Sequence, residues 1–457
     1  MSHFIILIFC IMIPFFHEQQ TLATEIAFEH DASLPIVYLN VVIKGGSVND
    51  PVHQSGLSNF MAEMLLRGTQ TKTKEQIDLT LDQMGAQLDI ESRTEALIFR
   101  AAVLSSQLHP FLELLTEILT QPRFSEDEIK KLKSEVISGI QEELGHDESL
   151  ASLKFNQFLF QNHPYGNAVL GRSEDIKNLN SKMIWDHYKK LVRNELLLIV
   201  GTGDADTSQI SNWKHEFIPL LPHTPIPDEN KKILEKISTP ENAAHRRLLI
   251  VDKPDRTQTQ IKMGQIGIQM TDPDFFPLHL GNHAFGGPSF SATLMQEIRV
   301  QRGWSYGASS GFKFGIQPRS WSIYLFPASK DSAPALELTL KLLENLKTHG
   351  ITQNQFEFSK RSMINKSGFM YNTPKKRAEN ILLEKTLDLP TGFIKSYATT
   401  LKEVQLPQVN HALEVFLKPD CLAITILGTA KNLKTSLAKA AGIPEKEIQV
   451  TDYTKEE

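Results

Sequence analysis

Apolar residues along the chain follow two rhythms. Short runs at Ile36 to Ile43, Leu97 to Leu104, Glu195 to Val200, Gln258 to Ile268 and Ser322 to Phe326 have the β-branched and aromatic content, and the length, of strands. Ser105 to Leu119, Glu126 to Leu144 and Ala335 to Lys347 instead repeat their apolar positions every three or four residues, as one face of a helix does. Several strand-like runs follow one another directly. An α+β fold is therefore expected, with helices layered on a largely antiparallel sheet.

The pattern occurs twice. An apolar stripe at Phe111, Leu115 and Leu119 returns at Leu338, Leu342 and Leu346, and Ser125, placed to cap the next helix, has its counterpart in Thr352. A late strand runs into Gly201-Thr202 and again into Gly428-Thr429. All three pairs are 227 positions apart, and one offset at three separated markers implies duplication. Proline and charge density from Pro222 to Lys232, and again from Ser238 to Asn242, describe an extended linker between the copies. The expected organisation is an exported leader over 1–23, a first domain over 24–222, a linker over 223–245 and a second domain over 246–457.

Composition narrows the function classes. The 457 residues are 41% hydrophobic and 22% charged, with a net charge of -5, which is ordinary globular composition. No extended Lys/Arg block is present, so neither nucleic acid nor an anionic membrane surface is an expected partner. Phe4 to Phe16 is apolar throughout but would rise only about 20 Å as a helix, against roughly 30 Å of hydrocarbon. With small residues at Thr21 and Ala23 it reads as an export signal cut after Ala23, and as a membrane anchor only if it stays uncut. Cys10 lies in that run, which leaves Cys421 without an internal disulfide partner. A bacterial periplasm is the expected location.

Candidate chemistry gathers at two places. Gly56-Leu57-Ser58-Asn59-Phe60-Met61-Ala62-Glu63-Met64-Leu65-Leu66-Arg67-Gly68-Thr69 reads as a helix closed by Gly68. In the second half, Gly286-Gly287 opens a helical segment that ends in Arg299-Val300-Gln301-Arg302-Gly303-Trp304-Ser305-Tyr306. Gly303 is placed to end that segment in the left-handed region, and no Gly-Lys-Ser/Thr follows the glycines, so they are not a phosphate loop. Trp304 and Phe290 are expected in the core.

Both segments, together with His163-Pro164-Tyr165-Gly166, resemble the pitrilysin/insulinase family of inverted zincin metallopeptidases, which includes the mitochondrial processing peptidase. The resemblance runs over nearly the whole chain and implies a clamshell of two duplicated halves. It maps the family's two zinc-binding histidines onto Asn59 and Glu63, its general base onto Ala62, and its third ligand onto Glu142, with Glu135 one heptad earlier. Every catalytic position of the first helix is therefore replaced. A helix still brings Asn59, Ala62 and Glu63 to one face, but a neutral amide, a methyl group and one carboxylate make a poor zinc set. His109 with Glu113 and His411 with Glu414 are out of register for a relocated site. His163 and its neighbours fit a structural loop.

By the same resemblance, Arg299 and Tyr306 match the pair that holds substrate carbonyls. No metal site is expected on this chain. The expectation is a non-catalytic, substrate-binding subunit that takes peptide beside a zinc-bearing paralogous partner. Two alternatives stay open: a non-enzymatic peptide-binding or scaffold dimer, and a self-sufficient zinc metalloendopeptidase.

Overall fold

The computed structural model describes residues 24–222 and 237–456, so the leader at 1–23 and the linker core at 223–236 lie outside the described residues. The strands in chain order are β1 (Glu25–His30), β2 (Ile36–Lys44), β3 (Gln87–Ser92), β4 (Ala96–Leu104), β5 (Leu197–Gly203), β6 (Arg247–Asp252), β7 (Gln260–Ile266), β8 (Ala308–Phe312), β9 (Ser320–Leu325), β10 (Ala423–Gly428) and β11 (Gln449–Asp452). They form two sheets, ordered β1-β5-β2-β4-β3 and β11-β6-β10-β7-β9-β8. With β11 set aside, the second order repeats the first strand for strand. Only β1/β5, β6/β10 and β6/β11 pair in parallel, so both sheets are largely antiparallel. The fold is the duplicated α+β architecture that the repeat implied.

Strand alternation explains how each sheet is covered. On β2, Val37, Leu39, Val41 and Ile43 join the first half's helices in one core, while Val42 faces the opposite way. Ile98 of β4 and Leu198 and Val200 of β5 share that opposite face, where they meet Leu382. Leu382 lies on the helix Pro374–Thr386, which belongs to the second half. The converse holds on the second sheet. Leu249, Val251, Ala423 and Leu427 pack into the first half's core, under the helix Asp147–Phe160. Each half thus lends one helix to the other half's sheet. Asp147 and Pro374, where these two helices begin, are again 227 positions apart.

Polar straps hold the exchange. Thr202 Oγ1 donates to Pro374 O at 2.6 Å. Lys253 Nζ donates to Gly145 O at 2.8 Å and to Asp147 at 2.7 Å. Arg247 donates to Phe158 O at 3.0 Å and stacks on the Phe158 ring. Arg377 pairs with Glu29 at 2.7 Å and with Asp31. The two halves face each other across a cavity of about 820 Å³.

Some local expectations shift. The helix expected from Ser105 begins at Leu108, because Ser105–Gln107 form a separate short turn. Thr352 does cap its helix, in a reciprocal box with Gln355, whereas the Ser125 side chain makes no capping bond. Among the described residues, no helix is long and apolar enough to cross a membrane.

Candidate functional site

The helix Leu57–Leu65 buries every residue except Glu63. Its start is fixed from outside. Asp50 accepts the amides of Gly56 at 2.7 Å and Ser58 at 2.8 Å, taking two donors a helix start leaves open. Gly56 has φ 91, and a Cβ there would meet Leu170 O at 2.5 Å, so glycine is required on both counts.

Ser58 Oγ also lies 2.8 Å from His187 Nε2, with Asp50 Oδ1 4.0 Å from the same nitrogen. The three imitate a nucleophilic triad, but Ser58 is fully buried and its hydroxyl donates to Gly46 O at 2.9 Å. His187 must then donate to the serine, which is the reverse of base activation. This is a structural clamp. Burial raises the Asp50 carboxyl to about 6 against the pull of Ser58, Gly56 and Lys190. Burial, with Lys190 adding to it, lowers His187 to about 3.

Asn59, Ala62 and Glu63 occupy one side of this helix as spaced. Asn59 is buried with its amide turned towards the Glu63 carboxylate, while Ala62 offers only a methyl group. Glu63 is held above the usual carboxylate range by burial, opposed by Arg67 and Asn59 and reinforced by Glu135. Arg67, just past the helix end, reaches across to the helix Glu126–Gly145, where it contacts Glu128 at 3.3 Å and also Glu135. Glu142 is not part of this group. Its side chain is exposed and lies 3.8 Å from His146 on its own helix.

The cation these acids share is therefore a guanidinium. A neutral amide, a methyl group and one carboxylate beside Arg67 do not fit a zinc ion. Among the described residues, no three His, Cys, Asp or Glu side chains converge as a metal set would.

In the second half the corresponding first helix is Phe275–Gly286. It carries two histidines one turn apart, His279 and His283, whose i, i+4 spacing puts both on one face as a pair of metal ligands would be. Burial lowers both, His279 to about 4 with help from His283, and His283 with help from Lys366. Asn282 between them is committed elsewhere, accepting from Trp321 Nε1 at 2.8 Å and Ser310 Oγ at 2.6 Å. Two imidazoles beside a lysine, without a carboxylate, make no metal centre.

The segment Met295–Val300 beyond this helix is wound as a π-helix, a geometry that recurs at functional sites. Gly303 then takes φ 65, as its placement predicted. Arg299 lies over the Phe290 ring at 4.9 Å, and Phe290 is exposed, contrary to its expected place in the core. Trp304 is partly buried against the core as expected. Tyr306 is 79% exposed, two residues before β8, the edge strand of the second sheet. The half-buried arginine and the exposed phenol therefore stand beside a strand edge with their hydrogen-bond donors free.

His163 and Tyr165 sit where the halves meet. His163 lies 2.7 Å from Ser238 O, just beyond the linker core. Tyr165 OH contacts Glu95 and accepts from Gln317 N at 2.9 Å. The loop is structural, and what it organises is the junction between the two halves.

Comparison with known proteins fits this geometry. Residues 25–173 match the family model described as Insulinase (Peptidase family M16), and residues 178–363 match Peptidase M16 inactive domain. A Helicobacter pylori protein named Non-peptidase homolog YmxG is 22% identical over 410 residues, 90% of this chain and 93% of that one. The crystal structure of a peptidase M16 inactive domain from Pseudomonas fluorescens superposes with a TM-score of 0.81 at 23% identity, covering 89% of this chain and 96% of that one. The periplasmic protease PqqL from Escherichia coli superposes with a TM-score of 0.73 at 13% identity, covering 92% of this chain but 49% of that one.

Proposed function

The chain belongs to the insulinase family, peptidase family M16, and from that premise we propose that it is the non-catalytic, substrate-binding member of a two-chain periplasmic zinc peptidase. The partner supplies the zinc helix. This chain supplies Arg299 and Tyr306, which hold a peptide's carbonyl oxygens while the bond is cut on the partner's metal. The peptide runs beside β8 as an added strand.

One observation carries the reading, the asymmetry between the halves. The first helix keeps only Glu63 of the mapped zinc-ligand positions as a possible ligand and has Arg67 take up the acids beside it, whereas the half-buried Arg299 and the exposed Tyr306 spend no hydrogen bond on another side chain. The coverage supports it as well, since this chain spans about half of the Escherichia coli periplasmic protease.

The test is affinity purification of the tagged chain from its native cells, followed by kinetics on what is recovered. A stoichiometric companion with an intact His-x-x-Glu-His helix is expected, and Arg299→Ala should lower kcat/KM of the pair about 100-fold, the loss typical of a transition-state donor. Unchanged kinetics would remove Arg299 from the mechanism. Recovery of this chain alone would favour the second reading, a scaffold without catalysis, towards which the name of the Helicobacter pylori relative leans.

A further inference from the structure

Arg299 and Arg302 are neighbours on one helical turn, and the fold treats them differently. Arg302 donates to the Glu297 carboxylate at 2.6 Å and to the Glu297 carbonyl at 2.8 Å, so its donors are spent within the turn. The Arg299 side chain makes no hydrogen bond and no ion pair among the described residues. Its guanidinium instead stands 4.9 Å from the centre of the Phe290 ring. Phe290 is 64% exposed, so the core gains little from it, and the contact it does make is with this cation.

The backbone on both sides of that contact is pinned. Gly286 lies against β8 so closely that a Cβ would stand 2.6 Å from the Ser310 amide nitrogen. From there Ser289 N donates to Gly287 O at 2.7 Å and Ala292 N to Ser289 O at 3.1 Å. The Ser289 and Ser291 hydroxyls bond to each other at 2.7 Å, and the Gln296 side chain donates to Phe290 O. On the arginine's side, Gly303 N donates to Arg299 O at 2.9 Å. What is left to be placed is the guanidinium itself. A ring face attracts it but has no lone pair with which to take an N–H. A carboxylate in the same position would hold the arginine by occupying two of its donors.

We propose that Phe290 is the positioning residue for Arg299, a ring that restrains the guanidinium beside the β8 edge while leaving every N–H free. Phe290 touches no reacting atom and acts through the arginine. Donors held in place before the peptide arrives need no reorganisation as charge develops on a carbonyl oxygen, which is where such donors gain most of their effect. The catalytic consequence rests on the two-chain reading above, whereas the restraint itself belongs to this chain alone.

The experiment has one arm on the chain alone and one on the pair. In the purified chain with isotope-labelled arginine, the Arg299 Nε–H resonance is the one missing from Arg299→Ala. In the parent the ring should shift it upfield; Phe290→Leu should move it to the position of a free arginine, and Phe290→Trp should not. In the two-chain enzyme, Phe290→Leu should lower kcat/KM about fivefold, mostly in kcat, and Phe290→Trp should rescue it. In the Arg299→Ala background, Phe290→Leu should cost nothing further. An Arg299 resonance unmoved by Phe290→Leu overturns the proposal whether or not a partner is recovered. So does a loss that persists in the Arg299→Ala background, which would make Phe290 a contact for the peptide itself. If Phe290→Leu moves the resonance while Arg299→Ala leaves the kinetics unchanged, the restraint stands and the two-chain reading of Arg299 fails.

Discussion

The equivalent helices Leu57–Leu65 and Phe275–Gly286 show how far two copies of one design have separated. Both follow the second strand of their half and are buried on nearly all sides. The first keeps one ionisable group on its former ligand face, Glu63, and has that group compensated by Arg67. The second keeps two imidazoles but spends the residue between them on Trp321 and Ser310. Neither is a metal helix, for opposite reasons. One lost its ligands; the other has ligands without a third group to close the set. Duplication preserved packing and left chemistry free to drift, so the half-buried Arg299 and the exposed Tyr306 stand out as donors with no hydrogen-bond partner in the fold.

The exchanged helices give the strongest way to break that comparison. Phe155 is fully buried in the helix that covers the second sheet, while Leu382 belongs to a small cluster on the first. Phe155→Ala should cost about 3 to 5 kcal/mol and Leu382→Ala about 2 to 4, read by chemical denaturation. If the exchange makes the halves one cooperative unit, each variant shifts a single transition. Two separated transitions would show that the halves melt independently and that the exchange is incidental.

The clamp at the start of the first helix predicts two opposed pH slopes, beside the rising slope that the lowered His279 and His283 give the second half. Asp50, raised to about 6, keeps a proton in the folded chain that the unfolded chain has released above its ordinary 3.8, so its contribution falls as pH rises from about 4 to 6. His187, lowered to about 3, stays neutral when folded although the unfolded chain takes up a proton below 6.5, so its contribution rises with pH over the same window. In the parent the two slopes cancel. Measured against the parent, Asp50→Asn should gain about 2 to 3 kcal/mol between pH 4 and 6, and His187→Gln should lose a similar amount, because His279 and His283 add the same slope to all three. Parallel slopes in the two variants would show that the pair does not titrate this way.

Arg299→Ala, expected to cost the two-chain enzyme about 100-fold, sharpens the comparison when set beside Glu63→Gln. The first removes a half-buried donor that rests on the Phe290 ring. The second neutralises a carboxylate at a position where no metal fits, and it should leave kcat/KM within about twofold. A large loss from Glu63→Gln would return chemistry to the first helix.

Much of this was legible in the sequence because its signals are local. Strand alternation, the duplicated stripes and the frame around Gly56 placed both sheets and the altered zinc helix. The helices Asp147–Phe160 and Pro374–Thr386 went unread because what they bury against lies more than a hundred residues away, so neither shows a stripe facing its own half. β1 and β11 sit at sheet edges, where the burial pattern is weak. The pairing of Arg67 with Glu128 and Glu135 depends on how two helices approach, which spacing alone does not give. The i, i+4 spacing of His279 and His283 is legible in the sequence, whereas their burial and the commitment of Asn282 to Trp321 depend on tertiary packing.

The smallest expected effect tests how literally the repeat should be taken. Ser125 and Thr352 hold the same place in the two halves, 227 positions apart, and their sequences suggest equal caps. Thr352 Oγ1 accepts from the Gln355 amide at 3.3 Å, and the Gln355 side chain accepts from the Thr352 amide at 2.9 Å, so two open donors are satisfied together. Ser125 makes no such bond; instead Glu126, Asp127 and Glu128 crowd the first turn and meet the positive end of the helix dipole. Thr352→Ala should therefore cost about 1 kcal/mol, and Ser125→Ala only a few tenths. Added salt should weaken the Ser125 helix more than the other, because screening reduces a charge–dipole interaction and leaves a neutral capping box almost untouched. Equal losses in the two alanine variants would mean that the Ser125 side chain caps in solution after all, and that the halves differ less at this marker than their side chains indicate.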